Sequence, residues 1–218
     1  MSALEDSTQP ANATRTTTRH AQALVLVTLA ISLLLGAAAF LVAGVAGGWS
    51  AAADLVSRFS VLIFVAALSG EPLAKLFPHL ALRAVAREQD GLMFAFIAAF
   101  AVSLFCVLIP FAGGLEPFTL PALVYCALNG AILVVMYLSY HPSLVRQMSP
   151  PSWRAIRRVA TGYFWLAFTL WSVGRLRASQ QPDAWYAFSL AVLLAVPLLR
   201  LVRSVVVRQR ARESVKIM

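Results

Sequence analysis

The sequence predicts an all-α fold, a polytopic membrane helix bundle with six transmembrane helices and both termini in the cytoplasm. Three observations predict it: long apolar runs, the breaks between them, and the placement of Lys and Arg. Of the 218 residues, 60% are hydrophobic and only 12% are charged, whereas a soluble domain is about half apolar and a quarter charged. Inside a bilayer each backbone polar group must bond within its own segment, so long apolar runs are helices.

Six apolar runs have the length of a membrane span, and Gly and Pro residues separate them. The predicted spans are residues 21–45, 52–68, 91–111, 119–140, 156–174 and 184–202. They form one bundle over residues 21–202. The polar residues 1–20 are expected to be a disordered tail rather than a signal peptide, because the apolar stretch that follows is too long. Residues 203–218 are expected to be a basic cytoplasmic extension that continues the sixth helix.

The orientation follows from the positively charged residues, which lie on alternate connections. Fifteen of the 18 Lys and Arg residues fall in the N-terminal tail, the second loop, the fourth loop with the adjoining helix start, and the C-terminal segment. The opposite side keeps only Arg175 and Arg177, and Arg58 lies inside the second span. Because cytoplasmic loops carry the excess of Lys and Arg, both termini are predicted to be cytoplasmic. An even number of spans agrees with that placement.

The net charge of +9 has a membrane explanation. The charge is spread over loop ends and forms no basic domain, so we expect no nucleic-acid partner. Anionic lipid headgroups are the expected partner of these arginines. Aromatic residues with a polar edge also fall near the predicted interfaces, where such rings prefer to lie. They are Trp49, Tyr140, Trp153, Trp185 and Tyr186.

Histidine and cysteine are the first candidates for chemistry. His20, His79 and His141 all lie at or beyond helix ends. His79 and His141 are the candidate cofactor-binding pair, as metal or haem ligands at the cytoplasmic edge, but no ligand spacing or supporting partner accompanies them. We favour loop histidines that face headgroups, and predict no metal site. Cys106 and Cys126 could form a disulfide facing an oxidising compartment, but two small buried hydrophobic side chains are the favoured interpretation.

Ionisable and small residues within the spans are the second group of candidates. Asp54 and Arg58 have the i, i+4 spacing of a helical ion pair. Such a pair inside a span is either a functional site or an interfacial pair reaching outward, and both interpretations stand. Asn129 is expected to hydrogen-bond a neighbouring helix, and Ser32 and Gly36 to allow close helix packing. No catalytic motif occurs, and we assign no catalytic residue.

Two stretches carry a family resemblance. The first is 54–92, with Arg58, the sequence Glu-Pro-Leu-Ala-Lys-Leu-Phe-Pro at 71–78, then a basic residue and Gly-Leu before the third span. The second is 149–171, with Trp153, Ile156, a basic pair and an aromatic-rich span. Together they resemble the ferric reductase-like transmembrane family, closest in pattern to the haem-binding membrane subunit of the bacterial methionine-sulfoxide reductase system. The resemblance implies a six-span bundle in a bacterial inner membrane.

The chain departs from that family at the haem ligands. Family members hold b-type haem between histidine pairs, since low-spin haem iron takes two axial nitrogens. The matching positions here are Asp54, Ala101 or a neighbour, Arg157 and about Leu170. None is histidine. The methionines Met93, Met136 and Met148 without a histidine would be an unusual ligand set.

The departure leads to a haem-free interpretation of the bundle, with no cofactor predicted. Phe96, Phe100, Phe164 and Phe168 are expected to fill the volume a haem would occupy, because close packing favours filling over a void. The expected function is a membrane partner or scaffold of another protein, or the binding of a lipophilic ligand such as a quinone, and not an enzyme by itself. Two alternatives stay open: a b-type haem electron-transfer subunit with unusual ligands, and a small transporter with Asp54 and Arg58 on its path.

Overall fold

The computed structural model describes residues 9–77, 88–115, 119–145, 147, 149–178 and 183–216, of which 9–19, 45–46, 142–143, 203 and 206–216 are described by their backbone alone. Almost all of those residues are helical, the exceptions lying in turns and at helix ends, and no strand occurs among them. The helices are α1 Gln9–Leu76, α2 Gln89–Ala112, α3 Leu120–Tyr140, α4 Pro142–Val145, α5 Pro150–Ala178 and α6 Ala184–Lys216. The expected all-α class is confirmed.

The long helix α1 consists of two arms that meet at Gly44. This residue has φ 69° and ψ −178°, which breaks the helix. A Cβ built at Gly36 would lie 3.8 Å from Val56 Cγ2, although these two residues would be about 30 Å apart along a straight helix. The chain therefore reverses, and the first arm, His20–Gly44, packs against the start of the second arm, Gly47–Leu76.

Five helical segments among the described residues are long and apolar enough to cross a membrane, one fewer than predicted. They are His20–Gly44, Gly47–Leu76, Gln89–Ala112, Leu120–Tyr140 and Ala184–Val202. The predicted span 156–174 forms helix α5 but does not belong to this group. Between Arg158 and Arg175 it has only sixteen residues, about 24 Å of helix against a hydrocarbon core of about 30 Å. The chain is thus a multi-pass helical protein by composition, and its sixth span stays a prediction.

Both helical ends run further than the predicted spans. The backbone is helical from Gln9, within the segment 1–20 that we expected to be disordered, because adding a residue to an existing helix requires no new nucleation. At the other end α6 continues to Lys216, so the segment 203–216 is helical, as expected for the basic extension.

The described helices form two compact units. The first contains Met1–Ser60 and Asp90–Cys126, and the second contains Val61–Gln89 and Ala127–Met218. In the first unit, Ala52, Ala53 and Cys106 form a buried cluster. In the second, helix α5 packs along α6, and the Trp165 indole nitrogen donates to the Leu193 carbonyl at 2.9 Å.

The four phenylalanines expected to fill the core are all buried. In the first unit Phe96 and Phe100 stack with ring centroids 5.8 Å apart. In the second unit Phe164 and Phe168 stack at 6.1 Å, and both rings meet the edge or face of Phe64. Each of the four phenylalanine rings therefore packs against another aromatic ring.

Candidate functional site

An apolar groove in the first unit is the candidate site. It has a volume of about 620 Å³, within the range of about 300 to 1,000 Å³ found for small-molecule pockets. Three segments line it: the first arm of α1, the start of the second arm, and the second half of α2. The lining residues are Ser32, Leu33, Gly36, Ala37, Phe40, Leu41, Trp49, Ala52, Val102, Phe105, Cys106 and Ile109. Only the Ser32 hydroxyl, the Cys106 thiol and the Trp49 indole interrupt the hydrocarbon.

Helical periodicity explains how the groove is built. On the first arm, the lining residues recur at three- and four-residue steps and so lie on one helix face: they are 32, 33, 36, 37, 40 and 41. The lining residues of α2 also share one face: they are 102, 105, 106 and 109. The side chains of Leu33, Leu41 and Phe105 at the rim are more than 60% exposed. In a bilayer such apolar side chains face acyl chains, so the groove opens toward lipid.

Two glycines lie on the walls of the groove. At Gly36 the first arm faces Ala52 and Val56 of the second, and a Cβ there would make ordinary van der Waals contacts with both. A side chain at Gly48 would overlap the ring of Phe40. Because Gly48 has none, the Phe40 ring packs edge-on against Trp49 at 5.1 Å, and both rings line the groove.

The Ser32 hydroxyl lies at the buried side of the groove and at the middle of its span. Ser32 is fully buried, and its oxygen has no hydrogen-bond partner among the described residues. Serine and threonine in helices commonly donate to a carbonyl one turn back, as Ser60, Ser69 and Thr169 do here at 2.7 to 2.8 Å. An unpaired hydroxyl in hydrocarbon is costly. Ser32 therefore places a buried hydroxyl with no partner among the described residues at the wall of the groove.

Ser172 and Ser189 share the property of Ser32 without its surroundings. Both are buried, and neither hydroxyl has a partner among the described residues. They belong to α5 and α6 in the second unit and do not line the groove. The unsatisfied hydroxyl is shared by all three serines. What distinguishes Ser32 is its position on an apolar groove.

The predicted ion pair is present in the first unit. The Arg58 guanidinium contacts the Asp54 carboxylate at 2.7 Å through Nη2 and 2.8 Å through Nε, with both side chains about one quarter exposed. One turn away the Ser57 and Ser103 hydroxyls lie 2.5 Å apart, and Ser103 also donates to the Ala53 carbonyl at 3.2 Å. These contacts join α1 to α2, and none of these residues lines the groove.

Two further polar contacts, of which the Asn129 bond is predicted above, fall in the second unit. The Asn129 side-chain oxygen accepts a hydrogen bond from the Tyr163 hydroxyl at 3.3 Å, which confirms the expected bond to a neighbouring helix. Lys75 and Glu71 form an exposed pair at 2.8 Å.

The histidines and cysteines are not brought together as a metal site. His79 lies outside the described residues. His141 is half-buried at the end of α3, with its ring 5.8 Å from that of Tyr137, and His20 is exposed. Cys106 and Cys126 are free, buried thiols. Within the described part of the chain no three His, Cys, Asp or Glu side chains are placed to hold a metal ion.

The groove is not evident from the sequence. The spacing of Ser32 and Gly36 predicts close helix packing, and Gly36 does pack against the second arm. The signal available was a serine at the centre of a span otherwise devoid of polar groups between Thr28 and Gly44. This serine alone does not predict a groove, because the groove forms only when a particular face of α2 packs against α1.

No protein-family model, curated protein or solved structure matches this chain.

Proposed function

We propose that this chain is a multi-pass membrane protein that binds a lipophilic molecule in the groove of its first unit. The observation that carries the proposal is the Ser32 hydroxyl, buried and unpaired on an otherwise apolar wall. Ligand pockets are mostly apolar with a few placed polar groups that fix orientation. Ser32 is such a group. Its hydroxyl would donate to an acceptor on the ligand, and the rings of Phe40, Trp49 and Phe105 would contact the apolar part.

A quinone is the ligand class that this arrangement favours. Its ring carbonyl accepts one hydrogen bond, which Ser32 provides at mid-span, and its apolar tail needs a hydrocarbon channel that opens toward lipid. The exposed rim of Leu33, Leu41 and Phe105 supports such lateral entry. We further propose that the chain is a haem-free relative of the ferric reductase-like bundle in a bacterial inner membrane, where it delivers or holds this ligand for a membrane or soluble protein partner.

Ligand retention in a serine variant tests the polar contact. The full chain is purified in mild detergent from membranes, and the apolar extract is compared between Ser32→Ala and Ser60→Ala by mass spectrometry. Ser60 is equally buried but bonds its own helix, so it controls for losing a hydroxyl. We expect Ser32→Ala to retain about tenfold less ligand, the worth of one desolvated hydrogen bond, and Ser60→Ala to match the unaltered protein.

A second pair of variants tests the groove itself. Ala37 lines the groove and Ala38, its neighbour, does not, although both are exposed. Ala37→Trp should fill the groove and abolish retention, whereas Ala38→Trp should leave it unchanged. Equal retention in the two tryptophan variants, or an extract that holds only bulk phospholipid, would refute the proposal. A Soret band in the purified protein would favour the haem alternative instead.

A further inference from the structure

Three prolines lie inside the described helices beyond the first turn, and each leaves one backbone carbonyl without its helical donor. Proline has no N–H, so the carbonyl four residues earlier loses its hydrogen bond. Within a membrane a neighbouring group commonly takes the place of that N–H. The prolines are Pro72, Pro110 and Pro197, and the carbonyls are those of Leu68, Cys106 and Leu193, in the same order.

The first and the last of these carbonyls have polar surroundings. The Trp165 indole nitrogen donates to the Leu193 carbonyl at 2.9 Å, so α5 supplies the bond that α6 lacks. The Leu68 carbonyl lies near the end of its helix, within one turn of a half-exposed ion pair, where headgroup water is close. The Cys106 carbonyl has neither kind of neighbour.

The Cys106 carbonyl lies within a span and beside the groove of the first unit. It is about 9 Å inside the end of α2 at Ala112, and no group outside α2 donates to it among the described residues. A helical carbonyl points toward the residue four positions on, so this one lies on the face of Cys106 and Pro110. Cys106 and Ile109 line the groove there. The groove thus combines an acceptor with the donor Ser32.

The donor and the acceptor are separated by about the length of an aromatic ring with a hydrogen bond at each end. Gly36 faces Ala52, and Ala52 shares a buried cluster with Cys106, so Gly36 and Cys106 lie at one level. Ser32 is one turn deeper, about 6 Å, on a different helix, and facing helix axes are about 8 to 10 Å apart. A six-membered ring with two opposite oxygens, and a hydrogen bond of about 2.8 Å at each, spans about 10 Å.

We propose that the groove binds a hydroquinone, the reduced form of the quinone class, in preference to the quinone itself. One oxygen of the hydroquinone accepts from Ser32, and the opposite hydroxyl donates to the Cys106 carbonyl. A quinone has no proton to donate, so its second oxygen would face the Cys106 carbonyl as one acceptor against another, which is unfavourable in hydrocarbon. This preference rests on the proposed function of the groove and adds the redox state of its ligand.

The test measures the affinity of the full chain for tetramethylbenzoquinone and for tetramethylhydroquinone. Equilibrium dialysis of the protein in detergent micelles, at neutral pH and without oxygen, gives both values, and empty micelles correct for partition. The methyl groups occupy every free ring carbon, so no thiol adds to the ring. We expect the hydroquinone to bind about tenfold more tightly, the effect of one buried hydrogen bond. The midpoint potential of the bound couple then rises by about 30 mV.

Proline variants separate the carbonyl from the rest of the groove. Pro110→Ala restores an N–H to α2 that bonds the Cys106 carbonyl, so the preference should fall to about twofold or less, while the affinity for the quinone stays unchanged. Pro197→Ala makes the same change in the second unit and should keep the full preference. Cys106→Ala removes the thiol but not the carbonyl, and should keep it as well. Ser32→Ala should weaken both compounds and leave their ratio unchanged.

Thermal unfolding in detergent controls the fold of each variant, and the unaltered protein with Cys106→Ala and Ser32→Ala still decides the matter if Pro110→Ala does not fold. Equal affinity of the unaltered protein for the two compounds would overturn the preference and leave the proposed function standing. A preference that survives Pro110→Ala, or that disappears in Cys106→Ala, would overturn the role of the carbonyl. Binding of neither compound would overturn both the preference and the quinone class.

Discussion

Two ion pairs of the same spacing differ in their surroundings, and this difference decides how much each contributes to the free energy of unfolding. Asp54 and Arg58 are about one quarter exposed, whereas Glu71 and Lys75 are about half exposed. Both pairs follow from their i, i+4 positions on one helix. Water screens an exposed pair almost completely, so its contribution is small. A pair within a span replaces hydration that the bilayer does not supply.

Neutralising the acid of each pair therefore has unequal effects. We expect Asp54→Asn to lower the free energy of unfolding by roughly 1 kcal/mol, between the surface and mid-membrane values, because the charged contacts between Asp54 and Arg58 are lost. Glu71→Gln is the matched control and should cost only about 0.3 to 0.5 kcal/mol. Unfolding by a denaturing detergent in mixed micelles measures both. Equal losses would mean that Asp54 and Arg58 behave as a surface pair.

At the scale of the helix, the reversal of α1 depends on one backbone conformation. Gly44 has φ 69° and ψ −178°, a region that is essentially restricted to glycine. A Cβ built there meets no atom within 4 Å, so space is not the constraint. The reversal brings Ser32 and Trp49 to the same groove, and it is thus the step that creates the candidate site.

Alanine at Gly44 should destabilise the protein by about 1 to 3 kcal/mol, the cost of that backbone region for a residue with a side chain. Gly130 is the matched control, because a Cβ there also meets open space but its backbone is helical. Gly130→Ala should be neutral or stabilise by about 0.5 to 1 kcal/mol. Thermal unfolding in detergent compares the two. A Gly44→Ala variant as stable as Gly130→Ala would remove the backbone argument.

Helix α5 shows the limit of hydropathy at this scale. Its central stretch is rich in Tyr, Trp and Phe, and it is short between Arg158 and Arg175. Trp and Tyr bury much apolar surface while carrying a polar edge, and arginine side chains can reach outward to headgroups. Both effects let a helix cross a membrane although its composition is only moderately apolar.

For the whole molecule, the side on which each terminus lies decides whether α5 crosses. Six spans place both termini on one side, and five place them on opposite sides. We expect a reporter fused after Met218 to behave as cytoplasmic, because the basic loops predict it, and a reporter at the N-terminus to agree. A non-cytoplasmic signal after Met218 with a cytoplasmic N-terminus would remove the sixth span.

The ligand inventory of the whole chain predicts that it purifies without haem. No histidine lies within any predicted span, and a haem held between the spans would need axial ligands there. Protein expressed with ample haem should therefore be colourless, and replacing His79 and His141 together should leave its absorbance spectrum unchanged. Near-stoichiometric b-type haem that is lost on this double replacement would overturn the haem-free interpretation.

The sequence by itself determined the features that arise within one helix. Helix ends follow Gly and Pro, and the pairs Asp54–Arg58 and Glu71–Lys75 follow from one turn of spacing. These features were predictable because a helix satisfies its backbone locally, whatever it packs against.

Only the tertiary structure decided which faces of the helices meet. It selected Tyr163 as the partner of Asn129 and Tyr140 as the ring beneath Arg157, and it left Ser32 unpaired on a groove. In a soluble helix an apolar stripe marks the buried face. In a membrane span, lipid-facing and protein-facing residues are both apolar, so the sequence pattern carries no such mark, and the sites formed between helices emerge only when the helices pack.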